Sequence, residues 1–508
     1  MNKTYDPLFT PWKIGNVEIK NRIVMTSMGG TSIFGWMEPN HFDKEAARFL
    51  LERAKNNAGL ILPGIAPIRD ILLGKWLYQG KGKFDELKDF MEEFHKTGCK
   101  MFIQLTAGFG RSLAINDIMV KAMHNKALAA VMKPVLDVSY LTASASATPN
   151  RWEDSCISRP LTTKEIHQMV DAFAKTAKLC KDAGVDGIEV HAVHEGYLLD
   201  QFTMKYTNFR TDEYGGSFEN RCRFAIEILD AIRARVGRRL LIEVRISGTE
   251  YEPGGIEIEE AIAFTRLIEG KADLVQFSAG IHGPRWMTTT HPCGFLPSIP
   301  NVWLAERAKK AGLNVPIAAI GGISDLAEAE GILAEGRADV LYCVRGLIAD
   351  PQLMVKAYEN RPDDVVPCVK CMHCHDSVVM GRQFHCTVNP RVGLENVLPE
   401  IGEKAKKPLR IAVIGGGPAG MQAALTACER GHAVTLYEQS GALGGALKFS
   451  DFVPFKYPLH NFKDYLVRQV EKSAVRVLLN TRATAETLAG GGYDVVIPAL
   501  GAVPVVPP

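Results

Sequence analysis

Residues 163–192 read TKEIHQMVDAFAKTAKLCKDAGVDGIEVHA. Thr163–Ala183 carries the apolar spacing of an amphipathic helix, and Gly187–Ala192 is a near-continuous apolar run of strand type. The same unit recurs on both sides. Strand-like runs occur at Arg22–Met28, Gly59–Ile65, Lys100–Thr106, Gly187–Ala192, Leu240–Ile246, Leu274–Ala279, Pro316–Ile320 and Val340–Val344. Helical patterns lie between them at Asp43–Asn57, Phe84–Lys96, Phe218–Val236 and Glu257–Ile268. Apolar strands followed by helices indicate a parallel sheet covered by helices. Eight such units over this length predict a closed (β/α)8 barrel of the TIM type.

Such a barrel puts its chemistry where the strands end. The ends carry Thr26 and Ser27, Gln104, His191 and His194, Arg245, His282, Gly321 and Gly322, and Arg345. The period is interrupted from Gly108 to Pro160 by a polar stretch with a helical pattern near Asn125–Met132. An insertion of that size after a strand forms a lid or a substrate wall.

The pattern breaks after Pro362. A cysteine-rich stretch runs to Pro390, and the charged linker Glu400–Lys407 follows. Leu409–Ile414 then reads as a strand that enters Gly415-Gly416-Gly417-Pro418-Ala419-Gly420 and a helix reaching Arg430. Ala433–Tyr437 is a second strand, ending at Glu438. The expected division is a barrel at 1–362, a four-cysteine segment and linker at 363–405, and a Rossmann-like dinucleotide domain at 406–508.

Gly415, Gly417 and Gly420 follow a strand and open a helix. The first permits the turn, the second lets a pyrophosphate approach the backbone, and the third lets helix pack on strand, while Glu438 suits ribose hydroxyls. Gly444 and Gly445, and the strand Tyr493–Ile497 ending near Gly501, add backbone around the same ligand.

Cys368-x2-Cys371-x2-Cys374-x11-Cys386 offers four thiolates. Three close cysteines and a returning fourth suit an iron–sulfur cluster, and four thiolates also suit a structural zinc. His373 and His375 are interleaved. His191-x2-His194 with Tyr197 reads as a metal pair, as donors to a carbonyl oxygen with a tyrosine acid, or as ordinary loop histidines. Spacing does not separate the three.

Composition sets the class. The chain has 508 residues, a formal charge of +2, 23% charged and 46% hydrophobic residues, which leaves no electrostatic footprint for nucleic acid or an anionic membrane. The first residues lack the apolar run of a signal peptide, and no apolar stretch is long enough to span a bilayer. The expectation is a cytoplasmic protein, in which the eleven cysteines are reduced.

Three stretches carry a resemblance. Asn21–Met28 (NRIVMTSM), His191–Phe202 (HAVHEGYLLDQF) and Asn208–Ser217 (NFRTDEYGGS) resemble the Old Yellow Enzyme family. With the four cysteines and the glycine motif, the whole chain resembles its multi-domain iron–sulfur flavoprotein branch. That branch holds 2,4-dienoyl-CoA reductase, 2-enoate reductases, bile-acid enone oxidoreductases and trimethylamine dehydrogenase.

The resemblance implies FMN in the barrel, a [4Fe–4S] cluster on Cys368, Cys371, Cys374 and Cys386, and FAD in the last domain. Thr26, Ser27 and Met28 would line the flavin, Gln104 would bond its pyrimidine edge, and Arg245 would stabilise its reduced form. Gly321, Gly322, Arg345 and Gly346 would bind the phosphate. Tyr197 would be the proton donor, His191 and His194 would polarise a substrate carbonyl, and His282 would be a further acid-side histidine.

The implied enzyme is an NADH:flavin oxidoreductase of the ene-reductase type, acting on the C=C of an enoate, enoyl-CoA or steroid enone. NAD(P)H electrons would reach it through FAD and the cluster. The alternatives are oxidative amine demethylation and an electron-transfer subunit of a larger complex. A homo-oligomer or an electron-donor protein is the expected partner. Glu195 is an extra residue before Gly196-Tyr197 relative to single-domain members, and Thr106 stands where many relatives have histidine. The branch continues past the strand near Gly501 into a pyridine-nucleotide domain, so the expected dinucleotide domain is truncated before it.

Overall fold

The computed structural model describes residues 5–35, 38–281, 287–379 and 384–502. Eight parallel strands form the barrel: β1 (Ile23–Met25), β2 (Leu60–Ile61), β3 (Lys100–Thr106), β4 (Gly187–His191), β5 (Leu241–Thr249), β6 (Leu274–Ala279), β7 (Ile317–Ile320) and β8 (Val340–Tyr342). Each pairs with the next, and β8 pairs back onto β1, so the sheet closes. Every predicted run coincides with or contains one of these strands except Leu240–Ile246, where β5 continues to Thr249. β1, β2 and β8 are shorter than their apolar runs, because the flanking residues leave the ladder to line the barrel mouth.

The covering helices are α1 (Lys44–Lys55), α2 (Gly82–His95), α3 (Thr163–Asp182), α4 (Phe218–Val236), α5 (Ile258–Ile268), α6 (Val302–Lys310) and α7 (Leu326–Ala334). Two short helices, α8 (Arg345–Ala349) and α9 (Leu353–Tyr358), follow β8. Local signals set the starts. Asp43 caps α1 through the N–H groups of Glu45 and Ala46, and Thr162 with Glu165 forms a capping box on α3. The hairpin Trp12–Ile14/Val17–Ile19 packs Trp12, Ile14 and Val17 against Phe102, Leu241 and Leu274. That plug seals the N-terminal end of the barrel and leaves the C-terminal end for a site.

The 108–160 insertion folds into helices Asp117–His124, Lys126–Met132 and Val138–Leu141, around a small core of Leu113, Met119, Ala122 and Val138. Asn125, where the helical pattern was expected to begin, is the cap of Lys126–Met132.

After α9 the chain forms α10 (His373–Val379) and returns along the barrel wall. A buried ion pair fastens it there. Arg53 on α1 donates to Glu395 Oε1 at 3.0 Å and to the carbonyl oxygens of Phe49 and Leu347, and Glu52 meets Arg391 at 2.7 Å. Glu395→Ala would leave a guanidinium buried beside a weaker partner, Glu52, at 3.4 Å. Removing one member of such a pair costs about 3 kcal/mol. The expected result is a lower urea midpoint and earlier proteolysis around residues 391–402.

The last domain is a four-stranded parallel sheet: β9 (Arg410–Ile414), β10 (Ala433–Tyr437), β11 (Arg476–Leu478) and β12 (Val495–Pro498), in the order β11-β10-β9-β12. Helices α11 (Pro418–Glu429) and α12 (Tyr457–Lys472) supply Met421, Ala424, Phe462 and Leu466 to its core. Ala349, Val369 and Val388 join that core, so the cysteine segment is wedged between the two domains. Across the seam Lys370 Nζ donates to Tyr457 Oη at 3.1 Å, and Lys472 meets Asp364 at 2.9 Å.

Candidate active site

The C-terminal mouth of the barrel opens into a cavity with about 1190 Å³ of empty space, its open mouth included. Thr26, Ser27 and Met28 line one side, Gln104, His191, Tyr197 and Arg245 another, and Gly321, Gly322 and Arg345 the far end. Cys368 and Cys374 also line it, so the thiols border the same space. His282 lies outside the described residues.

The residues after β4 define the substrate side. His191 Nε2 and His194 Nδ1 are 3.0 Å apart, with the rings nearly perpendicular. The two imidazoles therefore stand in series: His191 lines the cavity, and His194, fully buried, backs it. Burial, and then the charge of Arg245, hold His191 well below the usual histidine range, so it is neutral. Glu195 has φ 57°, a left-handed conformation costly for a side chain with a Cβ. This turns its carboxyl into the cavity, 3.9 Å from Arg245 and 3.7 Å from His194 Nδ1.

Tyr197 also reaches the cavity, packed edge-on against Phe109 of the insertion at 4.8 Å. Burial raises its hydroxyl well above the usual range, and the hydrogen-bonded Glu195 adds to the shift. Burial likewise raises Glu195, against the opposing charges of Arg245 and His375. Asp200 fixes the turn by accepting the Gly196 N–H at 2.7 Å. Glu195 and His375 line the cavity although the sequence reading gave them no place in it. Glu195 was legible only as an extra residue in the motif, and His375 as a neighbour of Cys374.

His191, His194 and Glu195 are close enough to ligate a cation. A guanidinium already beside the carboxylate weighs against one.

The cavity fits a flavin. Thr26 Oγ1 and Arg245 Nε are buried polar atoms with no partner in the protein. Ser27 Oγ donates to Gln104 Oε1 at 2.6 Å at the cavity wall. At the far end Gly321 and Gly322 have φ 124° and 76°, and a Cβ on Gly321 would come within 2.8 Å of Asn301. Arg345 also turns toward the cysteine loop, donating to Met372 Sδ at 3.2 Å. Gly346 does not line the cavity; its N–H and that of Leu347 serve Cys343, whose thiol burial pushes up to about 11.

The four cysteines converge. Lys370 and Met372 both have positive φ, 51° and 63°, which winds the loop tightly between Cys368 and Cys374. Burial pushes Cys374 up to about 12 and Cys386 to about 11, and the neighbouring cysteines add to each shift while Arg345 opposes it at Cys374. Among the described residues, no three of these sulfurs lie within 4.8 Å of one another. His373 and His385 bond each other through their Nε2 atoms, and His375 packs on His291 with ring centroids 4.4 Å apart.

In the last domain the glycines divide the work as their spacing predicts. Gly415 has φ 109°. A Cβ on Gly420 would lie 1.8 Å from the Gly415 carbonyl oxygen, whereas Gly417 would meet only Gly445, at 3.8 Å, and stays open to a ligand. Glu438 accepts the N–H groups of Gly416 and Ser440, each at 2.7 Å. Burial works against its charge, but these donors hold it below the usual carboxylate range. Gly420→Ala should force strand and helix apart: the purified variant is expected to lose FAD while retaining FMN, as read by cofactor release and chromatography.

A closed parallel barrel with this mouth, joined to a dinucleotide fold, defines a flavin-dependent oxidoreductase. The chain belongs to the NADH:flavin oxidoreductase / NADH oxidase family, whose model matches residues 7–364; residues 410–493 match that of the FAD dependent oxidoreductases. It is similar to the NADH oxidase of Thermoanaerobacter brockii (35% identity; 98% of this chain, 73% of that protein) and to the cinnamate reductase of Clostridium sporogenes (33%; 99% and 75%). The N,N-dimethylglycine/sarcosine dehydrogenase of Chromohalobacter salexigens is 30% identical (98% and 70%). Among solved structures, the 2-naphthoyl-CoA reductase complex with 2-naphthoyl-CoA superposes with a TM-score of 0.86 at 29% identity, over 99% of this chain and 75% of that one. No helix among the described residues is long and apolar enough to cross a membrane.

Proposed function

We propose that the chain is an ene-reductase that saturates the C=C of an α,β-unsaturated carbonyl, taking electrons from NAD(P)H through FAD and a [4Fe–4S] cluster. The observation that carries this reading is Tyr197: a buried, protonated phenol in the cavity, hydrogen-bonded to a carboxyl that is itself biased toward holding a proton. FMN, when bound, supplies the hydride to the β-carbon.

The rest is the work of this chain's residues. His191, held in place by His194, is assigned the carbonyl oxygen. A donor aimed in advance at an oxygen that gains charge stabilises the transition state without reorganisation. Tyr197 gives its proton to the α-carbon, and Glu195 returns one to the phenolate. Arg245 presents fixed positive charge to the flavin, and Gly321, Gly322 and Arg345 hold the phosphate end.

Cys368, Cys371, Cys374 and Cys386 are assigned the cluster. Three close cysteines with a returning fourth suit the core of a cluster, whereas zinc sites more often pair two separated Cys-x2-Cys knuckles.

Among the described residues that line the cavity, Tyr197 and Tyr342 are the Phe, Tyr or Trp rings, fewer than an aromatic cage for a cationic methylamine uses. Anaerobic assays with cinnamate, crotonyl-CoA and a 3-keto-Δ4 steroid, run beside dimethylglycine and sarcosine, test the reading. Reduction of at least one enone with stoichiometric NAD(P)H or dithionite consumption is expected. Amine oxidation without enone turnover would replace the reading with demethylation, and no turnover at all with an electron-transfer role.

A further inference from the structure

Below the cavity the barrel holds buried groups that the reaction above does not use. Glu189 on β4 and Glu243 on β5 are register neighbours and both are fully buried, so their side chains enter the barrel at one level. The two-residue period of the strands places them one step below His191 and Arg245. Glu189 accepts from Gln104 Nε2 and, at 3.3 Å, from Gln276 Nε2. Glu243 Oε1 accepts from Tyr342 Oη at 2.5 Å, and Oε2 has no donor. The strand register sets the two carboxyl groups side by side on adjoining strands.

Two ionised carboxylates cannot share one level of a dry barrel, so one keeps a proton. Glu189, with two amide donors, is the stabler anion. The proton then sits on Glu243 and is donated to Glu189. The charged and titratable groups that face the pair are Arg245, on its own sheet above, and Tyr342 on β8; Gln104 and Gln276 are neutral. Burial raises both carboxyls, and the repulsion of Glu189 raises Glu243 further.

We propose that Glu189 and Glu243 share one proton and hold one net negative charge beneath Arg245, acting as positioning residues that set how strongly the cavity favours reduced over oxidised FMN. The link to the cavity has two parts. The anion offsets the Arg245 charge that a reduced flavin would otherwise meet in full. It also binds the Gln104 amide by its NH2 end, so that the Gln104 carbonyl oxygen, bonded to Ser27, is the end turned to the cavity wall. This inference rests on the FMN reading of the cavity.

The test uses Glu189→Gln, Glu243→Gln and the double variant. In either single variant the new amide donates to the remaining carboxylate, which ionises, so the charge is unchanged. Infrared difference spectra, wild type minus each single variant, should show the loss of one protonated carboxyl C=O stretch at neutral pH. The ratio of affinities for reduced and oxidised FMN, from anaerobic reductive titration of the holoenzyme, should stay within about threefold. The double variant removes the charge and should shift the ratio toward reduced FMN by on the order of tenfold.

A wild type with no such infrared loss in either single variant, or a folded double variant with a ratio within twofold of wild type, would overturn the proposal. If the double variant does not fold, the single variants and the infrared difference decide it alone. Failure of the wild type to bind FMN would remove the cavity reading while leaving the shared proton to stand or fall on the infrared result.

Discussion

Tyr197→Phe is expected to slow reduction of an enone by about 10²–10⁴-fold, the usual weight of a positioned general acid, while reduction of the flavin by dithionite proceeds as in wild type. The asymmetry follows from geometry. The phenol points into the substrate side of the cavity beside His191, with ring centroids 5.1 Å apart, and its hydroxyl bonds Glu195. Its ring also packs on Phe109, and phenylalanine preserves that contact. Stopped-flow measurement of the two half-reactions separates the outcomes: an unchanged oxidative half-reaction would remove Tyr197 as the acid. Glu195→Gln should act on the same half-reaction and more weakly, because the phenol is still present but its proton is restored more slowly.

Cys374→Ser is expected to abolish the cluster and with it every electron path from the last domain to the barrel. Cys374 is buried and lines both the cavity and the cysteine loop. Iron and labile sulfide should fall to background on analysis of anaerobically purified protein, while FMN content persists. NAD(P)H-driven turnover should then vanish, and turnover with dithionite should survive. Stoichiometric zinc without sulfide in the wild type would overturn both the cluster and the relay.

The two predictions rest on different kinds of legibility. The barrel was readable because its signal is local and repeated: an apolar strand and an amphipathic helix declare themselves within about twenty residues, and eight of them in series leave few ways to close a sheet. The glycine motif was readable for the same reason, since each glycine answers a constraint within the strand, turn and helix around it. The cysteines invited a metal or cluster reading because three of the four thiols fall in one loop.

The shorter span of β1, β2 and β8 was not legible. An apolar run does not say where the ladder stops and the barrel mouth begins. Nor was the order of the two histidines. Spacing puts His191 and His194 side by side, but the turn through Glu195 sets them in series and brings a carboxyl, not a second imidazole, to face Arg245.

By itself, then, the sequence determined the barrel, the dinucleotide fold, the four-cysteine loop and the group of strand-end residues, all of which depend on residues close in the chain. Only the tertiary structure decided which of those residues meet. Glu189 and Glu243 lie 54 positions apart and become neighbours through the β4–β5 register. Arg53 and Glu395 lie 342 apart and meet because the cysteine segment returns along α1. Arg345 leaves β8 and reaches Met372 in the cysteine loop, linking the flavin cavity to the thiols. Pairings of this kind are set by strand closure and burial, which exclude water and make each buried charge find its partner, and no local pattern records them.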